Sequence, residues 1–168
     1  NLDQVKHLHA MQLGLGAAAL TKFCHRHLGM QTTAVELNPQ VIATCRRWFA
    51  LPEDNAKLQV VRGDAAEAVC HEQWRGKVDA LQVDLYDQEA ARPVLDSEEF
   101  YRNCRHLLTD TGCMSVNLFG HASSYSESLE KITAAFGQDA VWAFKPTPAG
   151  NAIVLAFRTP HTWDKNAL

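Results

Sequence analysis

The sequence predicts a doubly wound α/β domain built on a seven-stranded, mostly parallel sheet. Short apolar runs alternate with longer helical patterns five times along the chain, which is the order of strand–helix units in such a sheet. The runs are apolar almost throughout, as is typical of strands buried on both faces. The last two runs are separated by too few residues for a crossover helix, so we expect an antiparallel C-terminal strand.

Each strand is predicted from an apolar run and each helix from the periodic segment that follows it. The strands are expected at residues 9–13, 32–36, 57–62, 78–83, 112–119, 140–144 and 152–157. The helices are expected to about residue 28, over 39–49, from 65, over 96–108 and over 124–135. Asn38 before Pro39 is typical of a helix N-terminus, and Asp96 to Glu99 has the pattern of a capping box. The second helix has apolar residues at helical spacing, which predict a core face: Val41, Ile42, Cys45, Trp48 and Phe49.

Length and composition favour one globular domain over residues 1–168. The chain has 168 residues, 46% hydrophobic and 21% charged, which is enough to bury a sizeable core. The net charge of −3 gives no basic footprint for nucleic acid or an anionic membrane, and no apolar run approaches the ~20 residues of a membrane span. We therefore expect a cytoplasmic protein with a small-molecule ligand, and a homodimer as the default oligomer.

Neither the cysteines nor the histidines indicate a metal or disulfide site. The five cysteines are odd in number and form no C-x-x-C pair, so we expect reduced thiols. His25 and His27 are two residues apart, which places them on different faces of a helix. No metal cofactor is therefore predicted.

Polar groups and glycines follow the strands at the edge where doubly wound sheets bind ligands. Gly14-Leu15-Gly16 follows the first strand and permits a tight turn with close approach of a ligand to the backbone. Glu36, with Leu37 beside it, follows the second strand at the spacing of a ribose-binding acid.

Carboxylates continue this pattern at the next two strands. Asp64, followed by Ala65, comes after the third strand, and Asp84 and Asp87 come after the fourth. Each acid alone has a structural interpretation. Glu36 could interact with the dipole of the helix that follows it, and Asp64 could be the N-cap of the next helix. Asp84 and Asp87 could lie in a solvated turn. Four acids along one edge of one sheet instead indicate a nucleoside site. Asp79 lies near the start of its strand and is excluded from that site.

The acids also indicate which nucleoside is bound. A dinucleotide would place phosphates near carboxylates that repel them, whereas a sulfonium nucleoside has cationic and donor groups and no phosphate. The predicted co-substrate is therefore S-adenosylmethionine or its decarboxylated form.

Four segments together resemble the spermidine synthase (polyamine aminopropyltransferase) family and its bacterial spermidine-synthase-like relatives. They are QLGLGAAALTKFCHRHL, TAVELNPQVIATCRRWFALPEDNAKLQVVRGDAAE, VDALQVDLYD and FYRNCRHLLTDTGCMSVNL, within residues 9 to 120. The resemblance implies a Rossmann-like fold of the class I methyltransferase type.

The resemblance also implies roles for individual residues. Gly14 and Gly16 would line the nucleoside, Glu36 would bind the ribose, and Asp64 with Ala65 would contact the adenine. Asp84 would help to deprotonate the attacking amine, Asp87 would hold the polyamine, and Tyr86 would wall the pocket between them.

Two departures from the family bear on activity. Ala17 stands where the family has an acid that anchors the amine of the aminopropyl donor. Only about eight residues precede the first strand, so the family's N-terminal β-rich domain is not expected in this chain. The leading hypothesis is aminopropyl transfer from decarboxylated S-adenosylmethionine to an amine such as putrescine. The alternatives are S-adenosylmethionine-dependent methyl transfer and a catalytically idle nucleoside-binding module.

Overall fold

The computed structural model describes residues 2–86, 95–119 and 124–160, which contain seven strands and five α-helices. The strands are β1 (His9–Leu13), β2 (Gln31–Glu36), β3 (Leu58–Arg62), β4 (Val78–Val83), β5 (Leu108–Phe119), β6 (Val141–Ala143) and β7 (Asn151–Phe157). The helices are α1 (Ala19–Lys22), α2 (Pro39–Trp48), α3 (Ala65–Ala68), α4 (Glu98–Leu107) and α5 (Tyr125–Phe136). A π-helical segment, Phe23–His27, continues α1.

The seven strands form one sheet in the order β3-β2-β1-β4-β5-β7-β6. Strands β1 to β5 are mutually parallel, and β7 runs antiparallel to both of its neighbours, β5 and β6. The predicted α/β class, strand number and antiparallel C-terminal strand are therefore confirmed. The strand order reverses between β1 and β4, so the carboxyl ends of these two strands meet where such folds bind ligands.

The two faces of β5 differ, and this difference positions the site. Met114, Val116 and Leu118 are at most 2% exposed and pack in the main core, which also contains residues of α4 and α5. Ser115 and Asn117 alternate with them, so they project from the opposite face, where they are half-buried. A polar side chain is therefore available on the face that the apolar core does not use.

Helix α4 has Ser97 as its N-cap, one residue after the predicted cap Asp96, and it has no capping box. Ser97 is the N-cap, and its Oγ accepts from the Phe100 N–H at 3.0 Å, so an aromatic residue occupies the position where a capping box needs Glu or Gln. Asp96 instead accepts from the Tyr101 hydroxyl at 2.9 Å and from Lys131 Nζ at 2.7 Å. The capping-box prediction is wrong because the carboxylate of Asp96 is used to join α4 to α5.

Helix α2 begins as predicted, with the Asn38 side chain accepting from the Gln40 N–H at 2.9 Å. Its predicted core face is correct for Cys45, which is 1% exposed, and wrong at the end of the helix, where Trp48 is 70% exposed and Phe49 is 44% exposed. The guanidinium of Arg47 lies 5.0 Å from the Trp48 ring centroid, so the exposed indole contacts a cation rather than the core.

Strand β5 begins at Leu108, four residues before the predicted start, and its register against β4 shifts between Val78 and Ala80. Gly112 lies in this irregular part, where a Cβ would approach the Val78 carbonyl oxygen to 2.7 Å. The glycine therefore marks a close approach within the strand, not the strand's beginning.

Candidate active site

A cavity of about 390 Å³ lies over the carboxyl ends of β1 and β4 and continues across β5 and β7. Its lining comes from the glycine turn, the start of α1 and the neighbouring strands: Gln12, Gly14, Leu15, Gly16, Ala17, Ala19, Leu20, Gln82, Val83, Asp84, Ser115, Asn117, Asn151 and Ile153. Asp84 is the one charged side chain among these described lining residues. The cavity is therefore mostly neutral, with a single carboxylate on its wall.

Gly14 brings the ends of β1 and β4 into contact. Its N–H donates to the Val35 carbonyl at 2.9 Å, and its φ of +90° lies in the region that favours glycine. A Cβ at this position would lie 2.4 Å from the Asp84 carbonyl oxygen, while the Asp84 N–H donates to the Leu13 carbonyl at 3.1 Å. The backbone of the acid and that of the turn are thus fixed against each other.

Glu36 holds the glycine turn from the side of β2. One oxygen of its half-buried carboxylate accepts from the Leu15 N–H at 3.0 Å, and the other accepts from the Asn38 N–H at 2.9 Å. Gly16 is exposed beside it, and a Cβ there would meet no atom within 4 Å. The structure therefore brings the sequence-predicted Glu36 against the predicted turn Gly14-Leu15-Gly16, with open space beside Gly16.

Asp84 is held by a residue that the sequence did not single out. Its exposed carboxylate accepts from Asn117 Nδ2 at 3.2 Å. The Tyr86 hydroxyl donates to the backbone carbonyl of Asn117 at 2.8 Å, and the Tyr86 ring packs edge-on against Phe119. Burial, with a further contribution from the negative charge of Asp84, raises the pKa of Tyr86 to about 12, so its hydroxyl remains a neutral donor near pH 7. Tyr86 therefore supports Asp84 indirectly, through Asn117, and is not among the residues that line the cavity.

The remaining predicted residues lie away from this cavity. Asp64 is the exposed N-cap of α3, accepting from the Ala66 N–H at 2.8 Å, and Ala65 beside it is 7% exposed. Leu37 is 67% exposed at the end of β2. These three residues follow β2 and β3, on the other side of the glycine turn, and their contact with a nucleoside stays a prediction. Asp87 lies outside the described residues.

Asp79 lies at the amino end of β4, away from the cavity, as the sequence predicts. Its carboxylate accepts from the His9 N–H and from the Thr109 hydroxyl, each at 2.8 Å. Both oxygens thus join β4 to the starts of β1 and β5.

The cavity also contains polar residues that the sequence analysis did not identify: Gln12, Gln82, Ser115, Asn117 and Asn151. The available signal was weak: a polar residue one position before the end of an apolar strand, on alternate positions of β5, or at the start of β7. Such a residue is recognisable as a site residue only when the register of neighbouring strands is known.

Two further findings concern metals and membranes. Within residues 2–86, 95–119 and 124–160, no group of three His, Cys, Asp or Glu side chains is placed to hold a metal ion. In the same ranges, every helix is too short or too polar to cross a bilayer.

Comparison with known proteins shows which proteins the chain resembles. No family model matches the chain. The chain is 32% identical to the polyamine aminopropyltransferase of Chromobacterium violaceum over 151 residues, covering 89% of this chain and 57% of that protein. It therefore spans just over half the length of this curated relative.

Solved structures share the fold. Human methyltransferase-like protein 13 in complex with SAH has a TM-score of 0.77 and 18% identity, covering 100% of this chain and 90% of that one. A spermidine synthase in complex with the transition-state analogue AdoDATO has a TM-score of 0.70 and 18% identity, covering 96% of this chain and 59% of that one. Both support a class I methyltransferase-type fold. The predicted resemblance is confirmed: the chain is similar in sequence to a curated polyamine aminopropyltransferase, and it shares its fold with spermidine synthases and class I methyltransferases.

Proposed function

We propose that the chain is the catalytic domain of an aminopropyltransferase that uses decarboxylated S-adenosylmethionine and an amine such as putrescine. The observation that carries the proposal is the position of Asp84, the one charged side chain of the described cavity lining, in backbone contact with the glycine turn. A nucleoside held on that turn would place its sulfonium beside a carboxylate. The curated relative's name and the AdoDATO complex of a structural neighbour support the same co-substrate class.

The chemistry requires a neutral amine close to the donor. The amine nitrogen attacks the carbon beside the sulfonium, the carbon–sulfur bond breaks, and methylthioadenosine leaves with the bonding electrons. Asp84 accepts the proton that the nitrogen loses, which is the role of a general base. The Asn117 amide holds the carboxylate toward the cavity at 3.2 Å, so proximity and a fixed charge supply the remaining acceleration.

The other predicted residues have binding roles in this proposal. Gly14, Leu15 and Gly16 approach the nucleoside, and Glu36 with Leu37 lies against its ribose. Asp64 and Ala65 contact the adenine edge. Asp87 is proposed to hold the amine together with Asp84, and Tyr86 supports that subsite through its hydrogen bond to the Asn117 backbone. No metal has a role in the proposed chemistry. A homodimer and a cytoplasmic location are proposed with the function.

The direct test is transfer itself. The protein is incubated with decarboxylated S-adenosylmethionine and putrescine, and methylthioadenosine and spermidine are quantified by mass spectrometry. Asp84→Asn is expected to lower turnover roughly 100-fold or more, since a general base contributes about 10²–10⁴-fold. Asp79→Asn is the matched control, because it neutralises the acid at the amino end of β4, whereas Asp84 follows the carboxyl end of that strand. Its turnover per folded molecule should stay near that of the wild type; unchanged turnover in Asp84→Asn would refute the proposal.

A second candidate function is methyl transfer from S-adenosylmethionine. It is favoured by the match in fold to human methyltransferase-like protein 13, whose structure contains SAH. Ala17 also leaves a small side chain in the cavity lining. Formation of S-adenosylhomocysteine with an amine acceptor, and no methylthioadenosine from the decarboxylated donor, would favour this alternative. Binding of neither donor would favour an idle module.

A further inference from the structure

The floor of the cavity carries a row of neutral polar side chains on three neighbouring strands. In the parallel register, Gln12 of β1 pairs with Gln82 of β4, and Gln82 pairs with Ser115 of β5. Side chains at matched positions of parallel strands project from the same face, and all three residues line the cavity. They therefore form one continuous amide and hydroxyl surface.

Gln82 is the member of this row with an unsatisfied group. Its Nε2 donates to Cys24 Sγ at 3.7 Å, while its Oε1 is buried and has no hydrogen-bond partner among the residues that the structure describes. Gln12 differs, because its Oε1 accepts from the Thr21 hydroxyl. A buried carbonyl oxygen without a donor is unfavourable, and a ligand that brings an N–H group removes that penalty.

The charges around the floor restrict which ligand group fits. No lysine or arginine is among the described residues that line the cavity, and the one charge is the carboxylate of Asp84. Burial raises the pKa of the Cys24 thiol, so the sulfur beside Gln82 stays neutral. The floor therefore has hydrogen-bond acceptors that suit a cationic amine. It has no cationic side chain that could pair with a ligand carboxylate.

We propose that Gln82 anchors the terminal amine of the aminopropyl donor. In this chain, a neutral side-chain amide would then bind the aminopropyl group of decarboxylated S-adenosylmethionine. Ala17, which lines the same cavity, has no polar side-chain atom for that purpose. The terminal torsion of a glutamine is broad, so the carbonyl turns toward an arriving ammonium group at little cost. This inference rests on the proposed function.

The test compares two nucleosides that differ in the tail. Calorimetry measures the affinities of decarboxylated S-adenosylmethionine and of methylthioadenosine, which lacks the aminopropyl group. In Gln82→Leu, the affinity for the donor should fall roughly 10- to 100-fold, the range for a hydrogen bond to a charged group, while the affinity for methylthioadenosine stays within about twofold. In Gln82→Glu, the donor should bind more tightly than in wild type, because a carboxylate pairs with the ammonium group.

The matched control is Gln59→Leu, an exposed glutamine on β3 outside the cavity lining, which should change neither affinity. The inference is overturned if the wild type binds both nucleosides and Gln82→Leu weakens both equally or neither. It is also overturned if Gln82→Glu leaves the preference for the donor unchanged. If the wild type binds neither nucleoside, the proposed function fails together with the inference.

Discussion

Replacement of Gly14 by alanine tests whether the contact between the glycine turn and Asp84 sets the geometry of the site. A Cβ on Gly14 would lie 2.4 Å from the Asp84 carbonyl oxygen, and ordinary contact begins at 3.4 Å, so the two atoms must separate by about 1 Å (3.4 − 2.4). The backbone also has a φ of +90°, which costs a non-glycine residue about 1–2 kcal/mol. Overpacking adds about 1–3 kcal/mol.

The expected loss of folding free energy for Gly14→Ala is therefore about 2–5 kcal/mol. For a chain of 168 residues, this lowers Tm by roughly 4–20 °C, at about 2–4 °C per kcal/mol. A displacement of about 1 Å at a reacting group can lower turnover about 100-fold, so kcat should fall by that order in folded protein. Calorimetry gives Tm, and release of methylthioadenosine gives kcat.

Gly76→Ala is the control for Gly14→Ala. Gly76 has a φ of +66° in the turn before β4, where a Cβ would meet no atom within 4 Å, so it adds backbone strain without displacing Asp84. We expect its Tm to fall and its kcat to stay near that of the wild type. If Gly14→Ala loses stability to the same extent as Gly76→Ala and also keeps its turnover, the contact with Asp84 does not set the catalytic geometry.

Three other predictions concern the groups around this contact. Glu36→Gln replaces one of the two carboxylate oxygens that accept a backbone N–H. The affinity for methylthioadenosine, measured by calorimetry, should then fall roughly tenfold. An unchanged affinity would show that Glu36 does not belong to the nucleoside site. Asn117→Leu removes the amide that donates to Asp84, so kcat should fall roughly tenfold with little change in methylthioadenosine affinity; a parallel loss of both would indicate a structural role. The raised pKa of Tyr86, about 12 against an ordinary 10, means that its contribution to stability is complete below about pH 10 and is lost as the pH rises through about 12. Denaturation across that range should be steeper for the wild type than for Tyr86→Phe, and identical curves would contradict the assignment.

The fold was predictable because its signals are local. An apolar run followed by a periodic helix identifies each unit, and Asn38 before Pro39 identifies a helix start without knowledge of any distant residue. Asp96 shows where local patterns fail. Its partners Ser128 and Lys131 lie more than 30 residues further along the chain, so a carboxylate with the sequence context of a helix cap instead joins two helices. The prediction for Trp48 failed for a related reason, since spacing alone does not show where a helix extends beyond the sheet.

The same distinction applies to the site. Gly14 and Asp84 were predictable because each follows its own strand directly, and the parallel order of strands brings such ends together. Asn117 was not predictable, because its role depends on the register of β5 against β4, in which Val116 pairs with Val83. That register places Asn117 beside the residue that follows Val83, namely Asp84. A polar residue inside an apolar strand becomes interpretable only through this pairing.

Under the proposed function, the cavity would select an amine by two interactions that respond differently to salt. Asp84 is exposed, so its attraction for a cation is screened over the ~8 Å Debye length of physiological solution. The buried side-chain oxygens Gln82 Oε1 and Asn117 Oδ1 accept no hydrogen bond from the described part of the chain. The benefit of giving them a donor depends on short-range hydrogen bonds that salt screens little. Added salt should therefore weaken encounter with the amine more than it weakens the discrimination between an amine and an apolar group once the ligand is bound. The neutral groups of the floor, rather than the single charge on the wall, would then determine which ligand remains bound.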